Sequence, residues 1–304
     1  MKFRRLSIYH DMRICKIFIA IVCLCAFDSI AFAQTRRALI IGLGEQEDKS
    51  WGKINGDKDI PIVTEMLLYS GYKKEDIITL VNEQATKKRI ISSFENLTKL
   101  CRKKDIIYIH FSGHGQRVTD IDGDEADGWD ESWIPYDAYR KYGVKDKGEK
   151  HLIDDEIYNL LVEIRRRVGV KGKIMVVADA CHSGGSSFEY GAFLINNYAL
   201  LYDDEIVIRG VSDSFVIPVT KVKKISKAPE QWITLSACKS FQTNQELTNP
   251  HVGILSYALY TISRKESLKM WKIEDFIRQN KGPYPQTPII TGEVDKYNIS
   301  DILK

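Results

Sequence analysis

The sequence predicts an α/β protein: a three-layer sandwich with a mostly parallel central sheet and helices on both faces. Three observations predict it. Strand and helix patterns alternate along most of the chain, which argues for crossover helices covering a parallel sheet. Ile106–Phe111 and Ile174–Ala178 are unbroken apolar runs, the kind buried on both faces of such a sheet. Each run ends in small residues, Ser112-Gly113-His114-Gly115 after the first and Asp179-Ala180-Cys181-His182-Ser183-Gly184-Gly185 after the second.

The elements follow in order. Ala38–Leu43 reads as the first strand. Asp59–Tyr69 has helical spacing, with Asp59 placed to cap it and Pro61 tolerated in the first turn. Ile77–Val81 is a short strand, and Thr86–Cys101 a helix with Ile90, Ile91, Phe94 and Leu97 on one face. Asp154–Val168 opens on acids and closes on Arg165-Arg166-Arg167, which suits a helix dipole. Strands at Lys173–Ala178 and Trp232–Ser236, helices at Gly253–Ser263 and Ile273–Gln279, and a strand at Thr287–Ile290 complete the pattern. Two long stretches, Gln116–Lys150 and Gly184–Glu230, look irregular. Connections of that length are usually functional or disordered, and both follow the small-residue motifs, so they are expected to wall a site.

Ligands of open parallel sheets bind beyond the carboxyl ends of the strands. His114 and Cys181 would meet there as a base and a nucleophile. Either alone reads as a core residue; the pair, flanked by glycines, reads as chemistry. His182 adjoins Cys181 and should point away from it. His110 lies within a strand and reads as packed or hydrogen-bonded. Cys238 has no partner motif and reads as a core thiol.

These two motifs resemble the caspase-like clan of cysteine peptidases, closest to its metacaspase branch. The resemblance covers nearly all of the chain after residue 36, with Trp232–Glu246 and Gly253–Tyr260 similar to a small-subunit portion. It implies a caspase-like fold over 34–304, divided into a large-subunit-like part at 34–188, a linker or lid at 189–230 and a small-subunit-like part at 231–304. It implies a Cys181–His114 dyad, with the backbone N–H groups of Gly115 and Cys181 as oxyanion donors. It implies that Asp59 and Asp179, assisted by Ser112, receive an arginine or lysine side chain of a polypeptide substrate. For Asp59, a plain helix cap is the competing reading. No organic cofactor is implied. The resemblance also places calcium at Asp130, Asp154 and Asp155, but Ser186-Ser187-Phe188 lacks the acid that helps there, so calcium would stimulate rather than be required. A solvated acidic turn is an equal alternative. Asp120–Glu131 holds seven acids in twelve residues, yet Glu125 stands where an EF-hand loop needs glycine, and that motif is rejected.

The reading is an exported cysteine endopeptidase; its alternative is a catalytically silent caspase-like domain that binds peptides or a partner. Residues 1–33 read as a secretory signal, with a basic front, an apolar run of 11 residues at Ile17–Phe27 and Ala31-Phe32-Ala33 as the cleavage motif. The run is too short to span a bilayer, so the mature chain would hold no transmembrane segment and would be periplasmic, surface-bound or extracellular. The leader carries five basic and two acidic residues, so the chain's formal charge of +3 becomes zero without it. A neutral chain gives no argument for nucleic acid as a partner. Cys101, Cys181 and Cys238 then remain, too few for a disulfide framework. A monomer is expected. Lys221-Val222-Lys223-Lys224, with Arg209 and Lys227 nearby, reads as a solvated connection or a self-cleavage segment.

Overall fold

The alternation of apolar residues within each strand decides the layers. In β1 (Arg36–Gly42), Ala38 and Ile40 face one way and Leu39 and Ile41 the other, and all four are fully buried. A strand with no wet face must lie inside a sheet covered on both sides. The structure is a computed structural model and describes residues 34–123, 125, 127–181, 207–209, 213–218, 229–240 and 242–304. The secretory leader, His182, Ser186–Phe188 and Lys221–Lys224 lie outside the described residues.

Six strands form the main sheet: β1, β2 (Ile77–Val81), β3 (Ile106–Ser112), β7 (Lys173–Asp179), β8 (Ile233–Ser236) and β11 (Ile289–Gly292). Their order is β11-β8-β7-β3-β1-β2, parallel throughout except at the β11 edge. One layer holds α1 (Gly56–Tyr69), α4 (Ile254–Lys265) and α5 (Met270–Asn280), whose Val63, Leu259 and Ile273 pack on Ile40, Tyr108 and Val177. The opposite layer holds α2 (Lys87–Leu100) and α3 (Asp154–Val168), whose Phe94 and Ile164 pack with Leu39, Ile109 and Val176.

Two expectations change. The helix expected from Asp59 begins at Gly56, so Asp59 lies inside its first turn, fully buried, and caps nothing. Gln116–Lys150 is not wholly irregular. It contains most of β4 (Gly115–Thr119) and all of β5 (Trp129–Trp133), which pair antiparallel, and β6 (Leu152–Ile153) adds to β5 just beyond it. A second hairpin, β9 (Glu246–Thr248) with β10 (His251–Gly253), lies beyond the end of β8. Among the described residues, no helix is long and apolar enough to cross a membrane.

Candidate active site

Strand register brings the two motifs together. β3 and β7 are neighbours, and Ser112 pairs with Asp179 at their carboxyl ends. His114 and Cys181 each lie two residues beyond that pair. Their backbones touch: a Cβ on Gly115 would stand 1.6 Å from the Cys181 carbonyl oxygen, so only glycine admits this approach. Both His114 and Cys181 are 1% exposed.

His114 needs no carboxylate to orient it. Its Nε2–H donates to the Gly52 carbonyl at 2.7 Å, and its ring stacks on Trp51 at 5.2 Å between centroids. That bond fixes the proton on Nε2 and leaves Nδ1 as the free lone pair, a buried nitrogen with no hydrogen-bond partner among the described residues. Burial pushes the His114 pKa down to about 4, so the ring is a neutral base. The Cys181 sulfur accepts the Asn244 N–H at 2.8 Å.

Beside His114 and Cys181 lies a pocket filled by the chain itself. Val207–Arg209 runs as an added strand against Asn244–Glu246. Glu246 N–H donates to the Val207 carbonyl at 3.1 Å, Arg209 N–H donates to the Asn244 carbonyl at 3.0 Å, and Ile208 bridges Gln245 antiparallel. The Arg209 carbonyl accepts the Cys181 N–H at 2.7 Å. Its side chain is fully buried. Nη1 lies 2.8 Å from Asp59 Oδ2 and 3.4 Å from Asp179 Oδ1, and it also bonds the Ser112 hydroxyl. Nε donates to Glu246 Oε1 at 2.8 Å.

Three carboxylates thus share one guanidinium. Asp59 is pushed up to about 6 by burial, against the pull of Arg209 and with a further push from Asp179. Asp179 is also raised by burial, but Arg209, Ser256 and Asn244 outweigh that and hold it below the usual range. Ser256 donates its hydroxyl to Asp179 Oδ2 at 2.6 Å and its N–H at 2.8 Å. With its proton committed, Ser256 Oγ accepts from His110 Nε2 at 3.1 Å. His110 Nδ1 then accepts from the Tyr108 hydroxyl at 3.0 Å. A one-way chain of donors therefore ends on Asp179. His110, expected to be packed or bonded, is pushed down to about 4 by burial and stays neutral.

The acidic loop is a separate feature. Asp120 Oδ1 accepts the N–H groups of Asp122 and Gly123, so its carboxylate ties its own turn. Asp130 is pushed up to about 8 by burial and by Asp154, Asp155, Asp120 and Asp122. Its Oδ1 is buried without a hydrogen-bond partner among the described residues. The excess charge there fits a hard cation. Among the described residues, however, no three His, Cys, Asp or Glu side chains converge as a ligand set.

Cys238 is buried, as expected of a core thiol. Sequence reasoning missed Glu246, and it noted Arg209 only as a basic residue near Lys221-Val222-Lys223-Lys224. The available signal for Glu246 was an isolated acid in the otherwise uncharged stretch 240–250; a buried acid needs a partner.

The comparisons agree with this geometry. The sequence profile of the metacaspase, peptidase C14 domain matches residues 36–187. Metacaspase-1B of Aspergillus fumigatus is 36% identical over 170 residues, 52% of this chain and 38% of that protein. Metacaspase-1A of Neosartorya fischeri is 34% identical over 268 residues, 76% of this chain and 58% of that protein. The chain therefore spans less than two thirds of these relatives. Among solved structures, a protein of Geobacter sulfurreducens superposes with a TM-score of 0.61 at 21% identity, covering 89% of this chain and 97% of that one. Caspase-1 of Spodoptera frugiperda superposes with a TM-score of 0.53 at 11% identity, covering 86% and 89%. These likenesses show a caspase-like three-layer fold. With a family profile matching half of its length, over the strands and motifs that carry His114 and Cys181, the chain belongs to the metacaspase family.

Proposed function

We propose that this chain is an exported cysteine endopeptidase that cuts peptide bonds after Arg or Lys. One observation carries the reading. Val207–Arg209 lies beside the dyad as a peptide substrate would, with main-chain pairing, a basic side chain in an acidic pocket and its carbonyl on the Cys181 N–H. Substrates that add a strand gain affinity from backbone bonds and specificity from the side-chain pocket.

The chemistry follows. Cys181 Sγ attacks the carbonyl carbon of the residue in the pocket while His114 Nδ1 takes the thiol proton. The Cys181 N–H, aimed at that carbonyl oxygen, holds its developing negative charge. The tetrahedral intermediate collapses, the C–N bond breaks, and His114 returns the proton to the leaving amine. Water then hydrolyses the thioester by the same steps and releases the acid and the thiol. In the described form Arg209 already occupies the pocket, so a substrate must displace it, and the form is latent.

Calcium, if bound, would be drawn to the charge gathered at Asp130, Asp154 and Asp155, which do not converge as a ready ligand set, so it would stimulate rather than be required.

Incubation with an arginyl chloromethyl ketone tests the reading. The expected result is one adduct on Cys181, absent from Cys181→Ala and strongly slowed in His114→Ala. Calcium should speed labelling, and chelation should not abolish it. No adduct at any concentration would instead favour a catalytically silent peptide-binding domain.

A further inference from the structure

Glu246 touches an atom of Arg209 that a lysine lacks. Along the arginine side chain the fourth atom is Nε, which carries a hydrogen; in lysine the fourth atom is the Cε methylene. Glu246 Oε1 accepts from Arg209 Nε at 2.8 Å. The carboxylate cannot turn elsewhere. The Asn55 N–H donates to Oε1 at 2.7 Å and the Asn55 side-chain amide donates to Oε2 at 2.5 Å. Glu246 is 6% exposed, so water cannot replace a lost partner. Asp59 and Asp179 differ from it. They lie by Nη1, near the level that a lysine ammonium reaches, so they serve either cation.

We propose that Glu246 is the residue that makes this pocket select arginine over lysine. The proposal rests on the endopeptidase reading above and sharpens its substrate class. With lysine bound, Glu246 would face a methylene and keep its buried charge on the two Asn55 donors alone, without the cationic N–H that arginine aims at it. With arginine bound, the same charge completes a pair. A buried carboxylate that loses its charged donor costs more than a contact merely absent, which is how a pocket rejects a near-isostere.

The test compares kcat/KM for matched fluorogenic peptides carrying Arg or Lys before the cleaved bond, on the full chain and on Glu246→Gln. The unaltered protein should favour Arg by roughly 10- to 100-fold, the size of one charged hydrogen bond. In Glu246→Gln the Arg value should fall at least about tenfold and the Lys value less than about threefold, bringing the ratio toward one. A purely structural role would lower both values together and leave the ratio unchanged, which would overturn the proposal. Equal cleavage after Arg and Lys by the unaltered protein would overturn it too, while leaving the endopeptidase reading intact. Arg209→Gln, which empties the pocket, also allows a test without turnover. Its melting temperature should rise more with n-propylguanidinium than with n-butylammonium at equal concentration. Cleavage of neither peptide would sink the endopeptidase reading. Equal melting shifts would then overturn the selectivity as well, and a larger guanidinium shift would uphold it as a property of the pocket.

Discussion

Cys181, His114 and Asp179 were legible residue by residue, because each lies at a fixed step beyond an apolar run that can only be a buried strand. Glu246 and Arg209 were not. Each lies far along the chain from Asp59 and Asp179, and nothing local in either segment says that they meet. Asp59 was legible as an acid near a helix start, but its job depends on the helix beginning at Gly56. Replacing Asp179 by Asn should cost basic substrates about 2–5 kcal/mol of transition-state binding, because it removes one side of a buried pair. The check is kcat/KM for an Arg peptide; a change below threefold would detach Asp179 from the pocket.

The buried histidines bear on pH at the same scale. His110 falls from the ordinary 6.5 to about 4, so between those values the folded state binds fewer protons than the unfolded one. Its contribution to stability is therefore full above pH 6.5 and lost as pH falls toward 4. His114 acts in the same sense, and Asp59, raised to about 6, in the opposite one. His110→Asn should flatten the fall in melting temperature between pH 6.5 and 4.5. Parallel melting curves for the two proteins would contradict the neutral, one-way donor chain.

At the scale of elements, β1, β3 and β7 were readable because both faces are apolar, whereas β4, β5 and β6 were not. Those three are short, and Thr119, Asp130 and Glu131 make them resemble the acidic loop between them. The start of α1 was hidden because Asn55 makes no side-chain cap there and is bonded to Glu246 instead. The segment Val207–Arg209 acts as an element only through its partner strand. Phe215, further along the same connection, is also tied down, exchanging main-chain bonds with Arg117 and Thr119 of β4. Arg209→Gln should empty the acidic pocket and have two effects together. The melting temperature should drop, since three buried carboxylates lose their cation. Alkylation of Cys181 by the arginyl chloromethyl ketone should quicken, by roughly tenfold if the filled state outweighs the open one by about 1.4 kcal/mol. A faster reaction with no loss of stability, or the reverse, would separate the plug from the pocket.

For the whole molecule, the three layers follow from alternation alone, and the position of the site follows from them. Two parallel neighbours ending in register must present their next residues side by side. The family resemblance adds what alternation cannot: which reaction that juxtaposition serves. The central claim is that the Cys181–His114 pair hydrolyses peptides with a basic residue before the cleaved bond. Steady-state hydrolysis of peptides differing only there, with Arg, Lys or Asp, tests it most directly, alongside Cys181→Ala. The account predicts turnover of the basic peptides, no measurable turnover of the Asp peptide, and an inert Cys181→Ala protein. Efficient cleavage after Asp, or Arg cleavage that survives in Cys181→Ala, would contradict it.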